Sequence, residues 1–256
     1  MCGRYVSITK TETLEKLFNA KVTFEPTKYF NASPSQQLPI ITSSNPAQIQ
    51  GFNFGYLPPW AKSKHKGLIN IKSESILKQG NNSRNYHILV KRAAQQSRCV
   101  VIANCFIEWH AETKQPYVVY VQGQHNILFA GVHNSWTDIT TGKKVNSFGI
   151  ITQEGNDLMK KIGHHRQPKI LTLQNYHHWL RARDFQDVSE VLHNRMPPEK
   201  MNAYPIASLI NKPSNNSKEV IVPIGERVLP EFDVEMKQEN KLFGMGQSPA
   251  RVRKNK

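Results

Sequence analysis

The sequence predicts a β-rich fold with several helices in one domain, and three observations carry that reading. Runs rich in β-branched and aromatic residues crowd the middle of the chain, at residues 99–109, 117–122, 127–133 and 147–152. Helical spacing of apolar residues recurs on either side of them, at 85–96 and again at 185–193. A length of 256 residues suffices for one sizeable core, and a β-rich chain of this size is expected to form one domain rather than two.

Taken in order, Thr9-Lys10-Thr11-Glu12 has the character of a capping box, and Leu14, Leu17 and Phe18 follow at helical spacing, so a short helix is expected there. Residues 23–60 carry Pro26, Pro34, Pro39, Pro46, Pro58 and Pro59, which exclude long helices and leave extended segments joined by loops. A helix over 85–96 carries Lys91 and Arg92. Gly123-Gln124 and Thr141-Gly142 supply turns between the β-runs. Helices are expected again at 154–161, 173–180 and 185–193, with a loop fixed by Pro168 between the first two. After Pro230 the sequence turns polar and basic, ending Arg251-Val252-Arg253-Lys254-Asn255-Lys256. The reading is a folded domain over 2–228 and a flexible basic tail over 229–256.

Charge narrows the partners. The net charge is +15, the isoelectric point is about 9.8 and the mean hydropathy is −0.54. Such an excess attracts polyanions, chiefly nucleic acid, with strong salt dependence. Three cysteines, Cys2, Cys99 and Cys105, are odd in number and lack paired metal-ligand spacing, so neither a disulfide framework nor a zinc knuckle is expected. No apolar run is long enough for a signal peptide or a membrane span, which makes the cytoplasm, with the nucleoid when DNA is bound, the expected place. The ten histidines show no convincing three-ligand spacing, so no metal and no cofactor is expected.

The chemistry begins at Met1-Cys2-Gly3-Arg4-Tyr5. Methionine is normally trimmed before a residue as small as cysteine, which would leave Cys2 with both a free α-amine and a thiol. These groups titrate near ~7.7–8.0 and ~8.5, so both are nucleophilic close to neutral pH. An aldehyde can form an imine with the amine and then close with the sulfur to a thiazolidine. Cysteine at position 2 also arises by chance, and context must decide. Asn70 follows Leu68-Ile69. Glu108 ends the apolar run from Val100 to Ile107, where burial could raise a carboxyl pKa and suit it to acid–base work. His164 lies in Ile162-Gly163-His164-His165-Arg166-Gln167-Pro168. Alone, each of these reads more readily as an ordinary surface residue.

Together the pieces resemble the SOS-response-associated peptidase (SRAP) family, proteins that crosslink to abasic sites in single-stranded DNA. The resemblance runs in order through Met1-Cys2-Gly3-Arg4-Tyr5, Asn31-Ala32-Ser33-Pro34, Gly55-Tyr56-Leu57-Pro58-Pro59-Trp60-Ala61 and Asn70-Ile71-Lys72-Ser73-Glu74. It continues through Phe106-Ile107-Glu108-Trp109, His164-His165-Arg166-Gln167-Pro168 and Tyr204-Pro205, spanning residue 2 to about 225. It implies an α+β fold, a single domain with a barrel-like mixed β core and peripheral helices, acting as a monomer. It also implies that Cys2 is the crosslinking nucleophile, that Asn70 orients it, that Glu108 is the acid–base group and that His164 assists imine and elimination steps. Arg4 and Arg166 would hold phosphates, and Pro34, Leu57 and Trp109 would lie along the DNA channel. Lys72 stands where the family usually has arginine, so it keeps the charge but loses the fork. Phe54-Gly55, Asn104-Cys105-Phe106 and Gln167 also depart from the usual pattern. His193-Asn194-Arg195-Met196-Pro197 matches the histidine motif more literally, but the runs flanking His164 favour the earlier site.

Three rival readings remain at this stage. Glutamine amidotransferases also begin Met-Cys-Gly, yet they continue differently from Arg4-Tyr5. A peptidase acting on other proteins has only the family name behind it. A non-covalent single-stranded DNA module explains the charge but leaves Asn70, Glu108 and His164 without a role.

Overall fold

Alternation along one strand shows how the layers are built. In the computed structural model Cys99, Val101 and Ala103 point into one apolar cluster, while Val100 and Ile102 point into another that the helices cover. That is the period-two pattern of a strand buried on both faces. The structure describes residues 2–62, 67–78 and 85–230, with no side-chain description for 85–87.

Among the described residues the first half holds β1 (Arg4–Ser7), α1 (Thr11–Phe18), β2 (Lys21–Val22), β3 (Tyr29–Ala32), β4 (Gln37–Thr42), β5 (Asn45–Phe54) and β6 (Asn70–Lys72). Next come α2 (Ser73–Leu77), α3 (Asn85–Gln96), β7 (Arg98–Ala103), β8 (Cys105–Trp109), β9 (Pro116–Val121), β10 (Ile127–Thr137) and β11 (Lys144–Glu154). The remainder is α4 (Asp157–Lys161), β12 (Arg166–Pro168), β13 (Ile170–Leu171), α5 (Tyr176–Arg181), α6 (Phe185–His193) and β14 (Met201–Pro205).

Strands β11, β10, β7, β4 and β5 follow one another in hydrogen-bonded order, and a parallel pairing of β5 with β11 closes the ring. The result is a closed five-stranded mixed barrel, which leaves no edge between its first and last strands. A separate five-stranded sheet, ordered β14-β9-β8-β1-β3, packs against it across the cluster holding Tyr5, Phe54, Phe106, Phe129 and Phe148. Cys105, Ile107 and Tyr204 face the other way, onto Ile210, Val220 and Ile221 near the end of the domain. Helices α3, α5 and α6 cover the barrel's outer side through Val90, Trp179 and Val188. The fold is α+β and forms one domain, and backbone ties of Val228 and Leu229 to β14 hold the chain in place that far. The tail from residue 231, like Met1, lies outside the described residues.

Several sequence expectations need correction. The run 99–109 is not one strand: it breaks at Asn104, with β7 in the barrel and β8 in the second sheet. Asn104 is fully buried. Its Oδ1 accepts from the Ile8 amide at 2.9 Å and its Nδ2 donates to the His125 carbonyl at 2.9 Å, so the side chain stitches the crossing together. The capping box is also absent. Lys10 occupies the N-cap of α1, while Thr9 donates to Asn126 Oδ1 at 2.6 Å. Glu154 ends β11 instead of starting a helix, and the cap of α4 is Asn156, whose side chain accepts from Met159 N. Residues 166–168 form a strand, not a loop.

Candidate active site

The site gathers where three elements end together. Strand β8 is central in its sheet, with β1 on one side and β9 on the other. Phe106 and Glu108 therefore point to the same interior face, and Glu108 is only 1% exposed. Arg4 pairs opposite Ile107, so the antiparallel course of β1 carries the residues before it alongside Glu108 and Trp109. Strand β11 then brings two distant segments to this end, pairing in parallel with β6, Ile150 against Asn70, and antiparallel with β12, Glu154 against Arg166.

Cys2 is fully buried. The Asn70 amide donates from Nδ2 to the Cys2 carbonyl at 2.8 Å. Asn70 Oδ1 is buried with no hydrogen-bond partner among the described residues. An orphaned buried acceptor is costly, so this atom beside Cys2 asks for a donor. The Cys2 thiol is pushed well above its ordinary range, first by burial and then by the charge of Glu108. This corrects the expectation of a ready thiolate: the resting sulfur carries its proton.

Glu108 and His164 form the second part of the site. Glu108 Oε2 lies 3.2 Å from His164 Nε2, and His164 Nδ1 lies 3.0 Å from the Trp109 carbonyl oxygen. A carbonyl can only accept, so Nδ1 carries hydrogen and Nε2 of a neutral ring is the acceptor facing Glu108. Burial raises the carboxyl to about 7, with the positive chain terminus pulling the other way. Burial lowers the imidazole to about 4, aided by the same terminal charge. Both directions favour the neutral pair, in which a protonated Glu108 donates to Nε2. The carboxyl thus titrates near neutrality, where it can both give and take a proton.

The residues assigned to DNA are placed as follows. Arg4 is half-buried and donates from Nη1 to Asn31 Oδ1 at 2.7 Å and to the Ile210 carbonyl at 3.0 Å, so part of its fork ties β1 to the domain's closing segment. Trp109 donates from Nε1 to Asn211 Oδ1 at 2.8 Å. Leu57 is set by its backbone, its N–H donating to Ser147 Oγ at 2.9 Å and its carbonyl accepting from Asn134 at 2.8 Å. Pro34 is half-buried in the turn after β3, before Ser35 at φ +75°. Lys72 is exposed just ahead of α2. Arg166 holds Glu74 in a two-pronged pair, at 2.6 and 3.0 Å, and Thr152 braces the same guanidinium through its carbonyl at 2.8 Å.

Sequence reading missed two members of this neighbourhood. Glu74 was visible only as part of a motif, yet it occupies the guanidinium assigned to a phosphate. Tyr5 was visible only as an aromatic after Arg4. Its hydroxyl is buried without a hydrogen-bond partner among the described residues, and burial followed by the nearby Cys2 and Cys99 thiols pushes its pKa up. His193, the rival histidine, is exposed at the end of α6 and bonds the Ser189 carbonyl of its own helix.

The family profile described as SOS response associated peptidase (SRAP) matches residues 1–213. The chain belongs to the SRAP family. Among SRAP relatives, the protein named abasic site processing protein YoqW from Bacillus subtilis is 29% identical over 231 residues, covering 86% of this chain and 99% of that one. The abasic site processing protein HMCES of Xenopus tropicalis is 25% identical, covering 76% of this chain and 66% of its own length. A crystal structure of a protein from Bacteroides thetaiotaomicron shares the SRAP fold with a TM-score of 0.74 at 24% identity, covering 86% of this chain and 98% of that one.

Proposed function

We propose that this SRAP protein recognises abasic sites in single-stranded DNA and crosslinks to them through Cys2, once Met1 has been removed. The observation that carries the reading is the Asn70 grip on the Cys2 carbonyl, at 2.8 Å, beside an Oδ1 that has no partner among the described residues. The α-ammonium released by loss of Met1 is the donor that this oxygen lacks. The names of the SRAP relatives, abasic site processing proteins, support the choice of lesion.

The steps balance without a cofactor. The open-chain sugar of an abasic site presents an aldehyde at C1′. The neutral Cys2 amine attacks it, and Glu108, titrating at about 7, protonates the departing hydroxyl so that water leaves and an imine remains. His164 Nε2 is placed to share that proton across 3.2 Å. The Cys2 sulfur then adds to the imine carbon while its proton passes to the nitrogen, closing a thiazolidine with a net loss of one water. A buried neutral thiol suits this order, in which the amine leads and the sulfur follows. Arg4, Lys72 and Arg166 supply phosphate contacts, and Pro34, Leu57 and Trp109 line the path of unstacked bases.

Heat-stable complexes with an abasic oligonucleotide test this reading. Cys2→Ala should form none, and Cys2→Ser should stop at a reducible imine. Normal complex formation by Cys2→Ala would defeat the proposal.

A further inference from the structure

Lys169 lies between β12 and β13, its backbone N–H donating to the Ile151 carbonyl and its carbonyl accepting from Ala130. It is 2% exposed and ranks among the largest fully buried side chains. Its side chain lines a cavity of about 260 Å³ beneath α5 and α6, shared with His178, Arg181, Asp187 and Glu190. Neither Cys2, Asn70, Glu108 nor His164 lines this cavity.

Among the described residues the Lys169 ammonium makes no hydrogen bond and no ion pair. A buried cation without a counter-ion is costly, and natural chains pair such groups. The carboxylates nearby do not serve it. Asp187 accepts from the Arg183 N–H at 2.8 Å and lies 3.8 Å from the Arg183 guanidinium, and Glu190 is exposed on α6. Arg195, which pairs with Glu154, adds positive charge near the amine. Arg181 and His178 stand exposed on the α5 side. The deep end of the cavity is therefore cationic.

We propose that this cavity is a second binding site, for a small molecule bearing a carboxylate or phosphate group that the Lys169 ammonium receives at the cavity floor. The site is separate from the crosslinking site and does not depend on it. Its size, just under the roughly 300–1,000 Å³ usual for ligand pockets, suits a small metabolite and excludes a nucleic-acid strand. Burial followed by the Arg195 charge lowers the amine to about 8, so it is mostly charged at neutral pH. A bound anion holds the proton on, and affinity should fall about tenfold per pH unit above that value as the receptor loses its charge. The other titratable and charged groups around the amine are His178, Arg181, Asp187 and Glu190 in the cavity wall and Arg195 beside it.

The test is calorimetric titration of the full chain with sodium acetate and, separately, with inorganic phosphate, at fixed ionic strength. Lys169→Met, which fills the space without charge, is run in parallel. Binding of at least one anion to the parent should be tenfold or more tighter than to the variant, and acetate affinity should fall between pH 8 and 9. The preferred anion tells which head group the site takes. Equal binding by parent and variant, or no binding by the parent, would overturn the proposal. The parent alone supplies a second measurement if the variant does not fold. The NMR titration of the Lys169 side chain should move to higher pH when the anion is added, and an unmoved titration would also overturn it. Crosslinking by Lys169→Met should stay at the parent level.

Discussion

Replacing Glu108 by glutamine should make stability depend on pH in a window where the parent's does not. In the folded chain burial raises Glu108 from an ordinary 4.5 to about 7 and lowers His164 from 6.5 to about 4. Between pH 4.5 and 6.5 the folded pair holds one proton, on the carboxyl. The unfolded pair also holds one, on the imidazole, so no proton is gained or lost on unfolding and the slope is flat. Glutamine removes the carboxyl's share. His164, whose folded pKa is depressed, then acts alone: the unfolded chain binds a proton below 6.5 that the folded chain refuses until about 4. Stability is therefore lost as pH falls through that window. The full displacement is worth about 3 kcal/mol, and nearer 2 kcal/mol once screening at the ring's open edge is counted. His164→Asn should show the opposite sign, because Glu108 with its raised pKa loses stability as pH rises from 4.5 to about 7. Urea unfolding of the parent and both variants from pH 4 to 8 reads these slopes. If Glu108→Gln tracks the parent throughout, the buried neutral pair does not exist.

Two further changes probe the surroundings. Asn70→Ala removes one hydrogen bond to the Cys2 carbonyl and should cost about 1 kcal/mol of stability, while slowing crosslinking at saturating DNA by tenfold or more; equal rates would make Asn70 structural only. Glu74→Gln weakens the carboxylate's hold on Arg166, so single-stranded DNA binding should tighten and its log–log salt slope should steepen by about 0.7 if one more phosphate is engaged. Weaker binding in a salt titration would instead show that Glu74 aims Arg166.

Local signals were legible where packing agreed with them. Helices α3 and α6 occupy the stretches that helical spacing marks, and the proline-rich segment after residue 23 is extended, with Pro39 and Pro46 inside β4 and β5. The break at Asn104 was not legible, because the apolar run on either side is continuous and only the burial of one amide divides it between two sheets. Closure of the barrel rests on a parallel pairing of β5 with β11, far apart in sequence, that leaves no local mark. At the site, the residue types came through because their order resembles a family, and their physical state came through only in part. The raised pKa of Glu108 was legible from its place at the end of an apolar run, and β1 and β9 supply the burial, whereas the Cys2 thiol reads as reactive until burial keeps its proton on. Arg166 reads as a free cation until α2 delivers Glu74 to it.

Intact-mass spectrometry after incubation with an abasic single-stranded oligonucleotide tests the central claim most directly. The expected product is the chain without Met1 plus the oligonucleotide less one water, stable to heat, with the link mapping to Cys2. The same mass in Cys2→Ala, or a link mapping to a lysine, would contradict it.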